Sequence, residues 1–340
     1  MSVNSLKPNF SHIYLEKGVE EYPLTKLALD KFSKSKIIKI DHYKDFFNRS
    51  NQDFQVQKLS MNLILAKKLS PFLYPASEMV QEFGTPNVFY NTPILNCLYN
   101  CDYCFLQGMY NSGNMVLFVN ESDFMRTIEK KLLSLKASSD PMIVAISYNT
   151  DIMAMENILP LTARWIEFAK KMEGLIIEIR TKSALFSLIQ NIKPSNNIIL
   201  SWTLSPEIVC STHELSSPPF LSRLNSVTKA LERGWTVRLC FDPIILFDGW
   251  FQIYKTFFEL IFSEIDPKKI RDITVGVFRM NKDFFKRVKK REPKSSLYYG
   301  DYSFEKGAVT IDKTIRDESL NRVKNILLKY LPEGKILIWN

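Results

Sequence analysis

The chain has 340 residues, 46% hydrophobic and 13% aromatic, with 45 Lys and Arg against 36 Asp and Glu for a net charge of +9. That composition excludes a disordered chain and suffices for one large domain, or one domain with an extension. The excess positive charge admits a polyanionic partner without requiring one.

Residues 1–84 are basic and mixed and are expected to form an N-terminal extension, in which LSMNLILAKKL reads as helix. The opening MSVNSLKPNFSHIYLEKG lacks the basic start, apolar run and small-residue cleavage site of an export signal. No apolar run reaches the roughly 18 residues of a bilayer span, so a soluble, cytoplasmic protein with no membrane partner is expected. From residue 85, short β-rich runs alternate with amphipathic stretches. MVLFV precedes DFMRTIEKKLLSLK, PMIVAIS precedes ILPLTARWIEFAKKM, and LIIEIRT precedes SALFSLIQNI. NIILSWT, TVRLCFDPII and DITVGVFRM continue the series, with LSRLNSVTKALERG and GWFQIYKTFFELIFSEI between them. Strands separated by helices of about 10 to 15 residues are successive βαβ units. The expected product over residues 85–280 is an α/β fold, a parallel sheet curled into a full or partial (β/α) barrel with its chemistry at the C-terminal strand ends. Residues 281–340 are expected to pack on the barrel as a third segment. RMNKDFFKRVKKREPK, residues 279–294, is basic with interleaved phenylalanines, and the aromatic SLYYGDYSFEKGAVTI reads as a hairpin.

Within NCLYNCDYCFLQGMY, Cys97, Cys101 and Cys104 fall inside eight residues, although the chain has only five cysteines. In a reducing compartment such spacing points to a metal or a catalytic thiol rather than a disulfide. A structural zinc ion takes four ligands, commonly as two pairs, and the histidines His12, His42 and His213 lie elsewhere. An iron-sulfur cluster held by four cysteines fails on the same count. Three cysteines suit a four-iron cluster with one iron left open to chelate a small molecule; zinc and inert thiols are the alternatives.

C-x3-C-x2-C with an aromatic residue, here Tyr103, before the last cysteine resembles the radical S-adenosylmethionine superfamily signature. The surrounding words resemble one branch, the spore photoproduct lyase family: the motif and MVLFVNESDF, then SYNTDIM, RTKSAL, ILSWTLSPEIV and CFDPIILFDGWFQIY. The resemblance implies a barrel of radical S-adenosylmethionine type, a 4Fe-4S cluster on Cys97, Cys101 and Cys104, and S-adenosylmethionine on the open iron. Reductive cleavage then yields a 5'-deoxyadenosyl radical, with the electron coming from a donor such as flavodoxin or ferredoxin. It further implies a carbon-carbon lyase that repairs thymine lesions in DNA. Lys182 stands where the family places a lysine on the cofactor carboxylate, and Ser201 where a hydroxyl joins it. Thr150 and Asp151 match a hydroxyl and an acid, and Asp242 a strand-end acid near the adenosine. The plain readings of these positions are a surface lysine, a strand-end serine, a helix N-cap pair and a turn former.

Two departures bear on activity. Family members that repair the spore photoproduct, a methylene-bridged thymine dimer, carry a hydrogen-donating cysteine where this chain has Tyr148. They also carry a radical-relaying tyrosine after the last cluster cysteine, where this chain has Phe105. Tyr148, Tyr103 and Phe105 are therefore the candidate catalytic positions. Cys210 and Cys240 sit in apolar contexts and read as buried small hydrophobes, Cys240 being the candidate to take over hydrogen donation. A tyrosyl radical is persistent and Phe105 cannot pass it on, so turnover is expected to stall or to consume cofactor stoichiometrically. A second reading keeps the scaffold and changes the substrate to RNA, a peptide or a small molecule. A third, a cluster protein that only binds nucleic acid, is opposed by Lys182 and Ser201. The basic tract 279–294 fits a DNA partner through phosphate neutralisation and aromatic wedging, and fits equally the solvated face of a helix.

Overall fold

The computed structural model describes residues 9–76, 83–135, 140–146 and 148–339. Six parallel strands lie side by side in chain order: Val88–Tyr90, Met142–Ala145, Leu175–Thr181, Ile198–Thr203, Thr236–Ile244 and Asp272–Val277. Ile336–Trp339 extends one edge in parallel, and Tyr74–Pro75 pairs antiparallel at the other. The sheet remains open, so the architecture is the partial form of the expected barrel. Its central strands are buried along almost their whole length, as runs such as LIIEIRT and IILSWT require when both faces are covered.

The outer helices present one apolar stripe each. Trp250–Glu264 buries Tyr254, Phe257, Phe258 and Ile261, and Phe220–Glu232 buries Phe220, Leu224, Val227 and Leu231. That three-and-four spacing places them on one face, each burial contributing about 1.5–3 kcal/mol. Among the described residues no helix is long and apolar enough to cross a membrane.

Three expectations change. LSMNLILAKKL holds a strand, Leu63–Ala66, all four residues of which are buried. It lies in a second sheet, ordered Lys36–Ile40, His12–Glu16, Leu63–Ala66, Met115–Phe118 and Ile94–Leu95. The run MVLFV therefore pairs with the N-terminal segment rather than entering the barrel. SALFSLIQNI forms one short turn of 3-10 helix, Phe186–Leu188, in place of an amphipathic helix. Side chains capture the backbone there: Ser183 N donates to Thr181 Oγ1 at 2.8 Å and Leu185 N to Ser183 Oγ at 3.1 Å. Such local bonds compete with helix formation.

The hairpin does form, Tyr302–Glu305 against Ala308–Ile311, and Arg279–Asn281 joins it as a third strand. Its two turn residues, Lys306 and Gly307, both have positive φ, 46° and 83°, as the twist of a two-residue turn demands. Helix Lys282–Arg291 lies against the short helix Phe105–Met109. The approach is so close that a Cβ on Gly108 would sit 2.4 Å from Phe284 Cβ, which excludes any other residue there without a shift of the helix.

Candidate active site

A cavity of about 420 Å³ opens at the C-terminal ends of the barrel strands. Cys97, Cys101, Cys104, Tyr103, Phe105, Tyr148, Thr150, Asp151, Lys182 and Asp242 all line it. Residues from four separate stretches of sequence thus meet at one place, where a parallel α/β sheet puts its chemistry.

The loop that carries the cysteines is held from several sides. Asn96, at φ 73°, donates through its amide to the carbonyls of Ser112 and Asn114 and accepts from Cys97 N at 3.0 Å. Gln107 Nε2 donates to the Cys101 carbonyl at 2.7 Å. Lys58, from the N-terminal segment, donates its ammonium to the carbonyls of Cys97 and Tyr99. Asp102, between two of the cysteines, accepts from Ser295, lies 2.9 Å from His213 Nδ1, and takes the Tyr298 hydroxyl on its carbonyl. Arg291 donates to the carbonyls of Gln107 and Tyr110.

Burial pushes the Cys97 thiol up to about 11, with Asp151 adding to the effect and Lys58 opposing it. Cys101 and Cys104 are raised by the same cause, against the attraction of Lys182. Iron binding must therefore release protons. Lys58 is itself pushed down by burial and held up by the three cysteines. The donor set suits a cluster better than a single ion. Among the described residues no group of three His, Cys, Asp or Glu side chains closes round one point, as a zinc ion with Zn–S near 2.3 Å requires. The three thiols instead line one cavity, and the buried Thr150 hydroxyl, which lines it too, has no hydrogen-bond partner among the described residues.

Asp151 is a clamp. Its Oδ1 accepts from Thr181 Oγ1 at 2.7 Å and Ala154 N at 3.1 Å, and its Oδ2 from Lys182 N at 2.6 Å. It thereby holds the 3-10 turn Met153–Met155 through Ala154 N, although Ile152 and not Asp151 is that turn's N-cap, and ties the loop to the end of strand Leu175–Thr181. The Lys182 ammonium lies 5.2 Å from the Tyr103 ring centre. Burial pushes that ammonium down, but Cys101, Glu214 and Cys104 together more than offset it, and the net shift is upward. Tyr103 gives its hydroxyl to Glu214, which also accepts from Ser205 at 2.9 Å and pairs with Arg223 at 2.5 Å. Asp242 is gripped by Arg279 through both guanidinium ends, at 2.8 and 3.1 Å. Phe105 packs on Tyr148, ring centres 5.7 Å apart.

Two candidates are not brought to the cavity wall. Ser201 is fully buried and donates to Glu178 at 2.8 Å; Glu178, and not the hydroxyl, lines the cavity. Cys240 is fully buried in its strand and is not among the lining residues. Lys58, Arg180, Arg279 and the Glu214–Arg223 pair were not legible as site residues. Arg180 alone had a signal, standing beside Thr181 and Lys182 at a strand end.

Comparison with known families matches residues 8–336 to the family described as Spore photoproduct lyase. The spore photoproduct lyase of Bacillus subtilis (strain 168) is 20% identical over 294 residues, 84% of this chain and 83% of the relative. That of Geobacillus sp. (strain Y412MC61) is 21% identical over 253 residues, 72% and 74% of the two chains. Among solved structures, spore photoproduct lyase complexed with dinucleoside spore photoproduct superposes with a TM-score of 0.82 at 17% identity, covering 98% of this chain and 99% of that one. A double mutant of the lyase with bound AdoMet and dinucleoside spore photoproduct gives 0.81 at 17% identity, with the same coverage. The chain belongs to the spore photoproduct lyase family and is a radical S-adenosylmethionine enzyme whose cofactors are a 4Fe-4S cluster and S-adenosylmethionine.

Proposed function

We propose that the protein repairs a thymine photoproduct in DNA by radical chemistry within this cavity. The observation that carries the reading is that three thiols, Lys182, Thr150, Asp151 and Tyr148 all line the same cavity. Cys97, Cys101 and Cys104 would hold the cluster, and when bound it supplies the electron that cleaves S-adenosylmethionine to a carbon-centred radical. Lys182 meets the cofactor carboxylate with a held positive charge, and the Thr150 hydroxyl offers it a hydrogen bond. Asp151 fixes the Lys182 backbone. Ser201 acts one step back, by orienting Glu178. Asp242, held by Arg279, would stand near the adenosine, and a small carrier such as flavodoxin or ferredoxin would provide the electron.

The reading is tested by giving the anaerobic, reduced, cluster-loaded protein dinucleoside spore photoproduct and measuring 5'-deoxyadenosine and thymine product together. Both are expected. 5'-Deoxyadenosine without thymine product overturns repair and favours the second reading, a different substrate on the same scaffold, which Tyr148 in place of the cysteine supports.

DNA is the partner that the basic helix suits. Lys282, Lys286, Arg287 and Lys290 are exposed on Lys282–Arg291, while Phe284 of the same helix reaches the cavity. Like charges at this spacing cost helix stability unless an anion meets them. Replacing Lys286, Arg287 and Lys290 by Glu is expected to weaken binding to every duplex alike and to lower the slope of log affinity against log salt by about 3. Filter binding across a salt series reads this, and an unchanged slope rules the helix out as the contact.

A further inference from the structure

We propose that Tyr148, Tyr90 and Tyr74 form a hydrogen-atom relay leading from the cavity to the edge of the sheet, where a thiol quenches it. This rests on the radical reading of the cavity. The rings of Tyr148 and Tyr90 are 4.5 Å apart, centre to centre, and those of Tyr90 and Tyr74 are 5.2 Å apart and stacked. The arrangement is built into the strands. Tyr74 and Tyr90 are direct cross-strand partners, and Tyr90 is in register with Ala145, three residues before Tyr148.

Tyr148 and Tyr90 line the cavity, whereas Tyr74 lies outside it, half-buried on the edge strand. Burial raises the Tyr90 phenol above its ordinary range, with Tyr148 and Tyr74 adding to the effect, so the group stays protonated and keeps a hydrogen to give. The Tyr74 oxygen accepts from the Lys68 ammonium at 3.0 Å, and its own hydrogen is not spent in that bond.

The steps balance. The Tyr148 O–H bond breaks and a C–H bond forms on the substrate radical, leaving a neutral phenoxyl. Tyr90 passes one proton and one electron to Tyr148, and Tyr74 does the same for Tyr90. A thiol then gives one hydrogen atom to the Tyr74 oxygen, and two thiyl radicals pair as a disulfide. Each product consumes one thiol hydrogen and one cofactor. The stall anticipated from Phe105 is thereby relieved by a second route out, through Tyr90.

The test freeze-quenches the cluster-loaded protein, labelled with β-deuterated tyrosine, after mixing with cofactor, reductant and dinucleoside spore photoproduct. Electron paramagnetic resonance should show a radical whose splitting narrows with the label. In the wild type its decay should accelerate about tenfold with added thiol. In Tyr90→Phe and in Tyr74→Phe, which keep the ring packing, thiol should leave the decay unchanged, and Tyr148→Phe should remove the signal. Thymine product with equal thiol acceleration in wild type and both variants overturns the relay alone. An absence of thymine product overturns the repair reading and the relay with it.

Discussion

Alanine at Cys97, Cys101 or Cys104 is expected to abolish 5'-deoxyadenosine formation, and each single variant is expected to fail completely. Three thiolates are the least that can hold a four-iron cluster with one iron open, and among the described residues the cavity lining holds no further thiol and no imidazole. His213 is committed to Asp102, and Cys240 lies inside its strand. The thiols are also poor ligands until deprotonated, because burial raises all three. Losing one therefore removes a bond and leaves two that are still costly to ionise. Iron and sulfide analysis of the reconstituted variants, with chromatography for 5'-deoxyadenosine, checks this, and retained cleavage in all three variants would refute the cluster assignment.

The second large effect is expected at Arg223. Its guanidinium and the Glu214 carboxylate are fully buried, 2.5 Å apart, and Arg223 also serves the Pro218 and Thr203 carbonyls. Arg223→Leu strands a charge in the interior and is expected to cost about 3–5 kcal/mol of folding stability. Adding Glu214→Gln should restore part of the loss, since the stranded charge goes with it. The pair also sets an acid dependence. Burial pushes Glu214 up, but Arg223, Lys182 and the Tyr103 hydroxyl outweigh it and bring the carboxyl to about 2, below its ordinary 4.5. The folded state thus holds the proton less tightly than the unfolded one. The contribution is complete above 4.5 and is lost as pH falls toward 2. Denaturant unfolding at neutral and acid pH should show this contribution in the wild type and not in the double variant. Equal pH dependence in both would mean that Glu214 is not the group responsible.

The barrel was legible because its strands are buried on both faces and so read as unbroken β-branched runs bounded by helical stretches. The same logic fails for a four-residue strand such as Leu63–Ala66, since a short apolar run carries no period to separate strand from helix. It fails differently at SALFSLIQNI, where hydroxyls two residues away capture the amides that a helix would use. The cysteines and Lys182 could be singled out from the letters because motif and strand end are local in sequence. Lys58 was not, because it lies 39 residues before Cys97 and meets the loop only through backbone carbonyls, a contact that leaves no pattern in the letters. Glu214 and Arg223 escaped for a related reason: the pair forms between the short strand Glu214–Leu215 and the helix Phe220–Glu232, and neither residue announces its partner. Tyr148 drew notice from its place in the motif and lines the cavity, whereas its neighbour Tyr90 emerged only from cross-strand register.

The braces on Asp102 have a bearing on the order in which the protein is made. Ser295 and Tyr298 reach back 193 and 196 residues to hold the middle of the cysteine loop. A chain that has left the ribosome only as far as the last barrel strand already owns every thiol, yet lacks the grip that sets their spacing. Contacts of such long sequence separation form last, because the intervening chain must be gathered first. Iron delivery is then naturally a step for the finished polypeptide, and the nascent chain exposes its cysteines to solvent before it can use them.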